Sequence, residues 1–121
     1  MKELLRDCLY PVLLGSNTLC HACVRQFEKH YGVCSTVLTG KRALTLRFLP
    51  AVRLINAPPS LSDDILFSIL CDLDDESGMR VPMLVLCDDA YHGFFERRRK
   101  ELEPHFILRR AEMLLEGRAR E

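Results

Sequence analysis

Apolar residues in this chain come in two rhythms. Short, nearly unbroken apolar runs alternate with stretches in which apolar side chains return every three or four positions. The first run, Tyr10 to Leu14, suits a parallel strand covered on both faces. Pro11 lies near its beginning, where a missing N–H is tolerated. Gly15 can take the backbone angles of a sharp strand-to-helix turn, and Ser16 or Asn17 can cap the helix. The spacing predicts that helix over Asn17 to Tyr31, with Cys20, Cys23, Val24, Phe27 and Tyr31 on one buried face. Arg25, Gln26, Glu28 and Lys29 point outward, and Gly32 stops the helix. Upstream, Leu4, Leu5, Cys8 and Leu9 fall at helical spacing and predict a short lead-in helix over Met1 to Leu9.

The two rhythms continue. Val33 to Thr39 reads as a second strand, left through Thr39-Gly40. Lys41 to Pro50 has no clear periodicity and is expected to be a loop with some extended chain. Val52 to Ala57 is a short third strand ended by Pro58-Pro59. Ser60 and Ser62 offer N-caps, Asp63-Asp64 suit a first helical turn, and Leu66, Ile69, Leu70 and Leu73 form the stripe of a second helix reaching about Glu76. Val81 to Cys87, without a charge, is the strongest strand and belongs in the middle of the sheet. Asp88-Asp89 closes it and can cap a third helix reaching Leu102, with Tyr91, Phe94, Phe95 and Leu102 inward. Pro104 separates that helix from a last strand, His105 to Leu108, and Arg110 to Glu116 begins a final helix.

The resulting order, β-α-β-β-α-β-α-β-α, predicts an α/β fold: an open, mostly parallel sheet of four or five strands with helices on both faces. In such sheets ligands sit beyond the carboxyl ends of the strands. Here those ends are Gly15-Ser16-Asn17, Thr39-Gly40 and Asp88-Asp89.

Composition narrows the function classes. A chain of 121 residues suits one domain with a core of its own. Lys and Arg number 17, as do Asp and Glu, so there is no electrostatic footprint for nucleic acid or an anionic membrane. Glu3, Arg6 and Asp7 interrupt the apolar start, which argues against a signal peptide, and no apolar run approaches the roughly 20 residues that span a bilayer. Six cysteines without such a signal point to free thiols in a reducing, cytoplasmic setting.

Cys20-His21-Ala22-Cys23 invites three readings. A thioredoxin-like dithiol at a helix start would have its first thiol acidified by the helix dipole. Val81-Pro82-Met83 even looks like the proline-led strand that faces the cysteines in that family. Charged helical sequence comes after it, however, where that family has a hairpin strand, and both cysteines lie on the apolar stripe of the helix. A zinc site would draw on Cys20, His21, Cys23 and Cys34, but His21 points roughly 100° away from Cys20 on a helix. The favoured reading is two small apolar side chains packed in the core. The acidic run Asp72, Asp74, Asp75, Glu76 and the basic run Arg97 to Lys100 read as solvated helix faces. Gly15-Ser16-Asn17 lacks the further glycines and the ribose-binding acid of a dinucleotide fingerprint. Its backbone N–H groups can still receive a carboxylate or phosphate.

Pro11-Val-Leu-Leu-Gly-Ser-Asn17, then Ala22, Arg25, Phe27 and Tyr31-Gly-Val-Cys-Ser-Thr-Val-Leu38, resembles the opening of ATP-grasp carboxylate–amine ligases of the D-aspartate ligase kind. Leu84-Val-Leu-Cys-Asp-Asp-Ala-Tyr91 and Arg98 to Phe106 resemble their later strand end and the helix and strand after it. Asn17 stands where that family has an aspartate, His21 where it has a tyrosine, and Asp88 where it has a glycine. The resemblance implies a pre-ATP-grasp domain over residues 1–121, a Rossmann-like three-layer α/β/α sandwich. It implies that Gly15, Ser16 and Asn17 border a small carboxylate substrate, with Asp89 and Tyr91 opposite, and that Arg25 holds the turn. The ATP, the Mg and the catalytic residues would belong to an ATP-grasp module, covalent or separate, that has no counterpart in these residues. The expectation is a non-catalytic, substrate-side domain with no cofactor of its own, whose cleft-facing surface meets that module or a second copy. The alternative is a thiol oxidoreductase using Cys20 and Cys23.

Overall fold

The inner strands of this chain are buried on both faces because helices cover both sides of the sheet. The computed structural model describes residues 8–40 and 52–119. The expected lead-in helix and the Lys41–Pro50 loop lie outside them, apart from Cys8 and Leu9. Five strands, β1 (Leu9–Leu14), β2 (Ser35–Thr39), β3 (Val52–Asn56), β4 (Val81–Leu86) and β5 (Ile107–Arg110), form one sheet in the order β3-β2-β1-β4-β5. Every neighbouring pair is parallel. The helices are α1 (Thr18–Tyr31), α2 (Asp63–Ser77), α3 (His92–Arg97), α4 (Arg99–Leu102) and α5 (Ala111–Ala119). The fold is a Rossmann-like α/β/α sandwich.

Alternation along the strands sorts the core into two layers. Val12 and Leu14, Leu38, and Leu84 and Leu86 turn toward α2, α3 and α4, where Leu66, Leu70, Leu73, Phe94, Phe95 and Leu102 meet them. Leu13, Val37 and Val85 turn the other way, onto Cys20, Cys23, Val24 and Phe27 of α1 and Ala111 of α5. Both long helices have side-chain caps. The Asn17 carboxamide oxygen accepts from Cys20 N–H at 3.0 Å, and the Ser62 hydroxyl accepts from Ile65 N–H at 3.3 Å. Gly32 closes α1 in the left-handed region, φ 67°, donating to the Glu28 carbonyl.

Three expectations need correction. The second strand begins at Ser35, two residues after the expected Val33, whose N–H still bonds to the Phe27 carbonyl of α1. The third helix is not continuous to Leu102. A 3-10 turn over Asp89–Tyr91 leads into α3, and the backbone changes direction at Arg98 (φ −107°, ψ 14°) before α4. Hydrogen bonding bridges this break, since Arg98 N–H reaches the Phe94 carbonyl at 3.0 Å and the Arg98 carbonyl accepts from Leu102 N–H at 2.9 Å. Arg98 is anchored instead by α2, through Asp64 and the face of Phe67. The last strand also starts two residues later than expected, at Ile107. His105 and Phe106 N–H both still bond to the Leu102 carbonyl, so they belong to the helical exit. Among the described residues no helix is long and apolar enough to cross a membrane.

Candidate functional site at the carboxyl end of β1

Strand order reverses at β1, which has β2 on one side and β4 on the other. At such a point the connections leave in opposite directions and a crevice opens beyond the carboxyl ends. Gly15 lies at its base. Its N–H donates to the Leu38 carbonyl of β2 at 2.9 Å, while the Leu14 carbonyl accepts from Cys87 and Asp88 N–H, both at 3.1 Å. Gly15 has φ +111°, and a Cβ there would lie 2.3 Å from Asp88 Cβ. Only glycine lets the end of β4 come this close.

Ser16 and Asn17 extend the turn. The Ser16 hydroxyl shares a 2.8 Å hydrogen bond with that of Thr39 at the end of β2. Asn17 works in both directions. Besides capping α1, its carboxamide nitrogen donates to the Cys87 carbonyl at 2.9 Å and so fastens the helix start to β4. Capping takes the Cys20 N–H, and the N–H groups of Thr18 and Leu19 head the helix without intrahelical acceptors. The first turn of α1 contains no acidic residue, so its dipole presents partial positive charge here.

Across the crevice, Asp88 is half-buried and its carboxylate accepts from Ala90 N–H at 3.0 Å. Asp89 is exposed beside it. Tyr91 is placed differently from its neighbours. It is 2% exposed, and its hydroxyl donates to the Ala57 carbonyl at 2.6 Å, tying the 3-10 turn to the exit of β3. Burial first, then the negative charge of Asp88, pushes this phenol up to about 12. The structure thus brings Gly15, Ser16, Asn17 and Asp88 together at the carboxyl end of β1, leaves Asp89 exposed beside Asp88, and buries Tyr91. Sequence reasoning passed over Thr39 as a site residue, although its place at the carboxyl end of β2 was the available signal. Arg25 is exposed on the outer face of α1.

The cysteines face away from the crevice. Cys20 and Cys23 are buried on the inner face of α1 and meet Cys87 from the end of β4. Hydrogen bonding to Cys20 and Cys23, then burial, pushes the Cys87 thiol up, while donation from Cys87 holds the Cys23 thiol below its ordinary value against the effect of burial. Cys34 is exposed ahead of β2, at the opposite edge of the sheet. Among the described residues no group of three or more His, Cys, Asp or Glu side chains is arranged to hold a metal. Several members of the charge runs are engaged in surface pairs. Arg97 binds Asp63 through two nitrogens at 2.8 and 2.9 Å, Arg98 binds Asp64, and Arg99 binds Glu96. Asp74 meets His105 at 2.6 Å.

Comparisons of this chain with protein-family models, with curated proteins and with solved structures return no match.

Proposed function

We propose that this chain is a substrate-side domain of a carboxylate–amine ligase, binding an amino-acid-like ligand beyond β1. ATP-dependent activation would belong to a partner module. The observation that carries this reading is the polarity of the crevice. The first turn of α1 offers N–H groups to a carboxylate, and Asp88 and Asp89, at the neighbouring end of β4, add negative charge suited to an ammonium. A ligand with both groups, held across Gly15, matches both walls. A phosphate-rich nucleotide would bring its charge against the two aspartates. The likeness of Pro11–Asn17 and Leu84–Tyr91 to ATP-grasp carboxylate–amine ligases supports the same assignment. Thiol oxidoreductase chemistry at Cys20 and Cys23 is disfavoured by their burial, since an attacking thiolate needs access.

The test is titration of the isotope-labelled chain with aspartate and, separately, with succinate, which lacks the amine. Expected are amide shifts confined to Gly15–Leu19 and Asp88–Ala90, larger for aspartate and weakened in Asp89→Asn. The purified chain should not turn over ATP. Absence of those shifts up to roughly 10 mM, tenfold above a 1 mM Kd, or ATP hydrolysis by the chain alone, overturns the proposal.

A further inference from the structure

A second cleft lies at the opposite edge of the sheet, at the amino ends of β1, β2 and β3, about 20 Å from Gly15 at the usual rise of a six-residue strand. It has a volume of about 360 Å³ and is lined in part by Tyr10, Cys34, Thr36, Arg53, Glu76 and Arg80. That size falls within the range of small-molecule sites. Tyr10 shares the α2 side of the sheet with Val12 and Leu14, and Thr36 shares it with Leu38. Their side chains therefore form the floor, while Arg53 from β3 and Glu76 and Arg80 from the end of α2 and its exit turn form the walls. Ser35, whose buried hydroxyl has no partner among the described residues, also borders this cleft.

Arg80 is set apart by how it is held. Its Nε donates to the Ser77 carbonyl at 3.1 Å, and its guanidinium carbon stands 4.5 Å from the Tyr10 ring centroid. These two contacts fix the plane of the guanidinium. Among the described residues no carboxylate lies within ion-pair distance of Arg80, whereas Arg97, Arg98, Arg99 and Arg110 are each paired. The terminal nitrogens of Arg80 are thus pre-oriented, with no anion from the described residues to bind. Arg53 supplies a second cation, with one nitrogen 2.5 Å from Glu76.

We propose that this cleft binds the oxyanion group of a small metabolite, a phosphate or a carboxylate. Arg80 is the fork that grips it, and Arg53, already paired with Glu76, borders the same cleft. A guanidinium whose plane is already set loses little freedom on binding, and its paired N–H groups match the geometry of both anions. The body of the ligand would occupy the space over Thr36. This site is separate from the crevice beyond β1 and does not depend on what that crevice binds.

Cys34, an exposed thiol on the rim, provides the readout. Its alkylation by a neutral reagent is followed by peptide mass in inorganic phosphate and in citrate, each against potassium chloride of equal ionic strength. Expected is a several-fold slowing of Cys34 in at least one of the two anions, retained in Arg99→Gln and lost in Arg80→Gln. Slowing by phosphate alone assigns the ligand as a phosphate, and slowing by citrate alone assigns it as a carboxylate. Circular dichroism and urea unfolding check that Arg80→Gln, at an exposed position, keeps the fold. No slowing in either anion, or slowing that persists unchanged in Arg80→Gln, overturns the proposal.

Discussion

Replacing Gly15 by alanine tests whether the crevice depends on close approach of two strand ends. The new Cβ would meet Asp88 Cβ at 2.3 Å, Asp88 N at 3.0 Å and Asp88 Cα at 3.3 Å. Asp88 has little freedom to retreat, because its N–H and that of Cys87 donate to the Leu14 carbonyl and its carboxylate accepts from Ala90. Two costs add. Holding alanine at φ +111° costs about 1–3 kcal/mol, and overpacking against backbone adds about 1–3 kcal/mol. Their sum, about 2–6 kcal/mol, is a large share of the roughly 5–15 kcal/mol that stabilises a typical domain. Gly78→Ala is the control, since Gly78 also has positive φ, +63°, but a Cβ there meets nothing within 4 Å. It should cost the backbone part alone. Urea unfolding followed by circular dichroism, with a common slope, should place Gly15→Ala below Gly78→Ala by about 1–3 kcal/mol, roughly a 5- to 150-fold difference in the unfolding constant. If Gly15→Ala is as stable as Gly78→Ala, the steric argument for the crevice is wrong.

Other outcomes rest on the same geometry. Tyr91→Phe should cost about 1–3 kcal/mol, because it leaves the buried Ala57 carbonyl without its donor; a change within error in urea would refute this. Because the Tyr91 phenol is raised from 10.0 to about 12, its proton is held more tightly in the folded chain. That stabilisation is complete below about pH 10 and is lost, by roughly 2–3 kcal/mol, as pH rises toward 12, and Tyr91→Phe should flatten that part of the fall. Thiol labelling in native buffer should modify Cys8 and Cys34 promptly and Cys20, Cys23 and Cys87 only on unfolding. Prompt modification of Cys20 or Cys23, with a reversible disulfide between them, would restore the oxidoreductase reading. Asp63 is held below the usual carboxylate range chiefly by its hydrogen bond from Arg97, so Arg97→Gln should return it upward in an NMR titration.

Element identity and layer assignment were legible wherever a local rhythm carried them. Cys20, Cys23, Val24 and Phe27 marked the inner face of α1 by phase alone, and Asn17, Gly32 and Ser62 marked helix ends because capping is decided within three or four residues. Legibility failed where the determining partner is distant. The second bond of Asn17 reaches the Cys87 carbonyl 70 residues away, and Tyr91 reaches Ala57 across 34. Periodicity correctly marked Tyr91 as inward-facing, but it carries no information on which carbonyl would take the hydroxyl. The start of β5 slipped by two residues because His105 and Phe106 look like strand to a propensity rule while their N–H groups remain with Leu102. The turn at Gly15 was readable from one glycine after an apolar run. Its tight fit against Asp88 was not, because that contact exists only once β1 and β4 are side by side.

Central placement of β1 also bears on how the chain is made. The strand closest to the start of the sequence pairs on one side with β2, but its other neighbour begins at Val81, the register partner of Leu9. At about 5–20 residues per second, synthesis delivers that partner roughly 4–14 s after Leu9. During that interval an apolar strand is without one of its two sheet neighbours. Parallel pairing across so long a separation also predicts slow folding for the size of the chain. Between the synthesis of β1 and that of β4, the nascent chain therefore carries an apolar strand with one edge unpaired, the kind of segment that favours aggregation before the sheet closes.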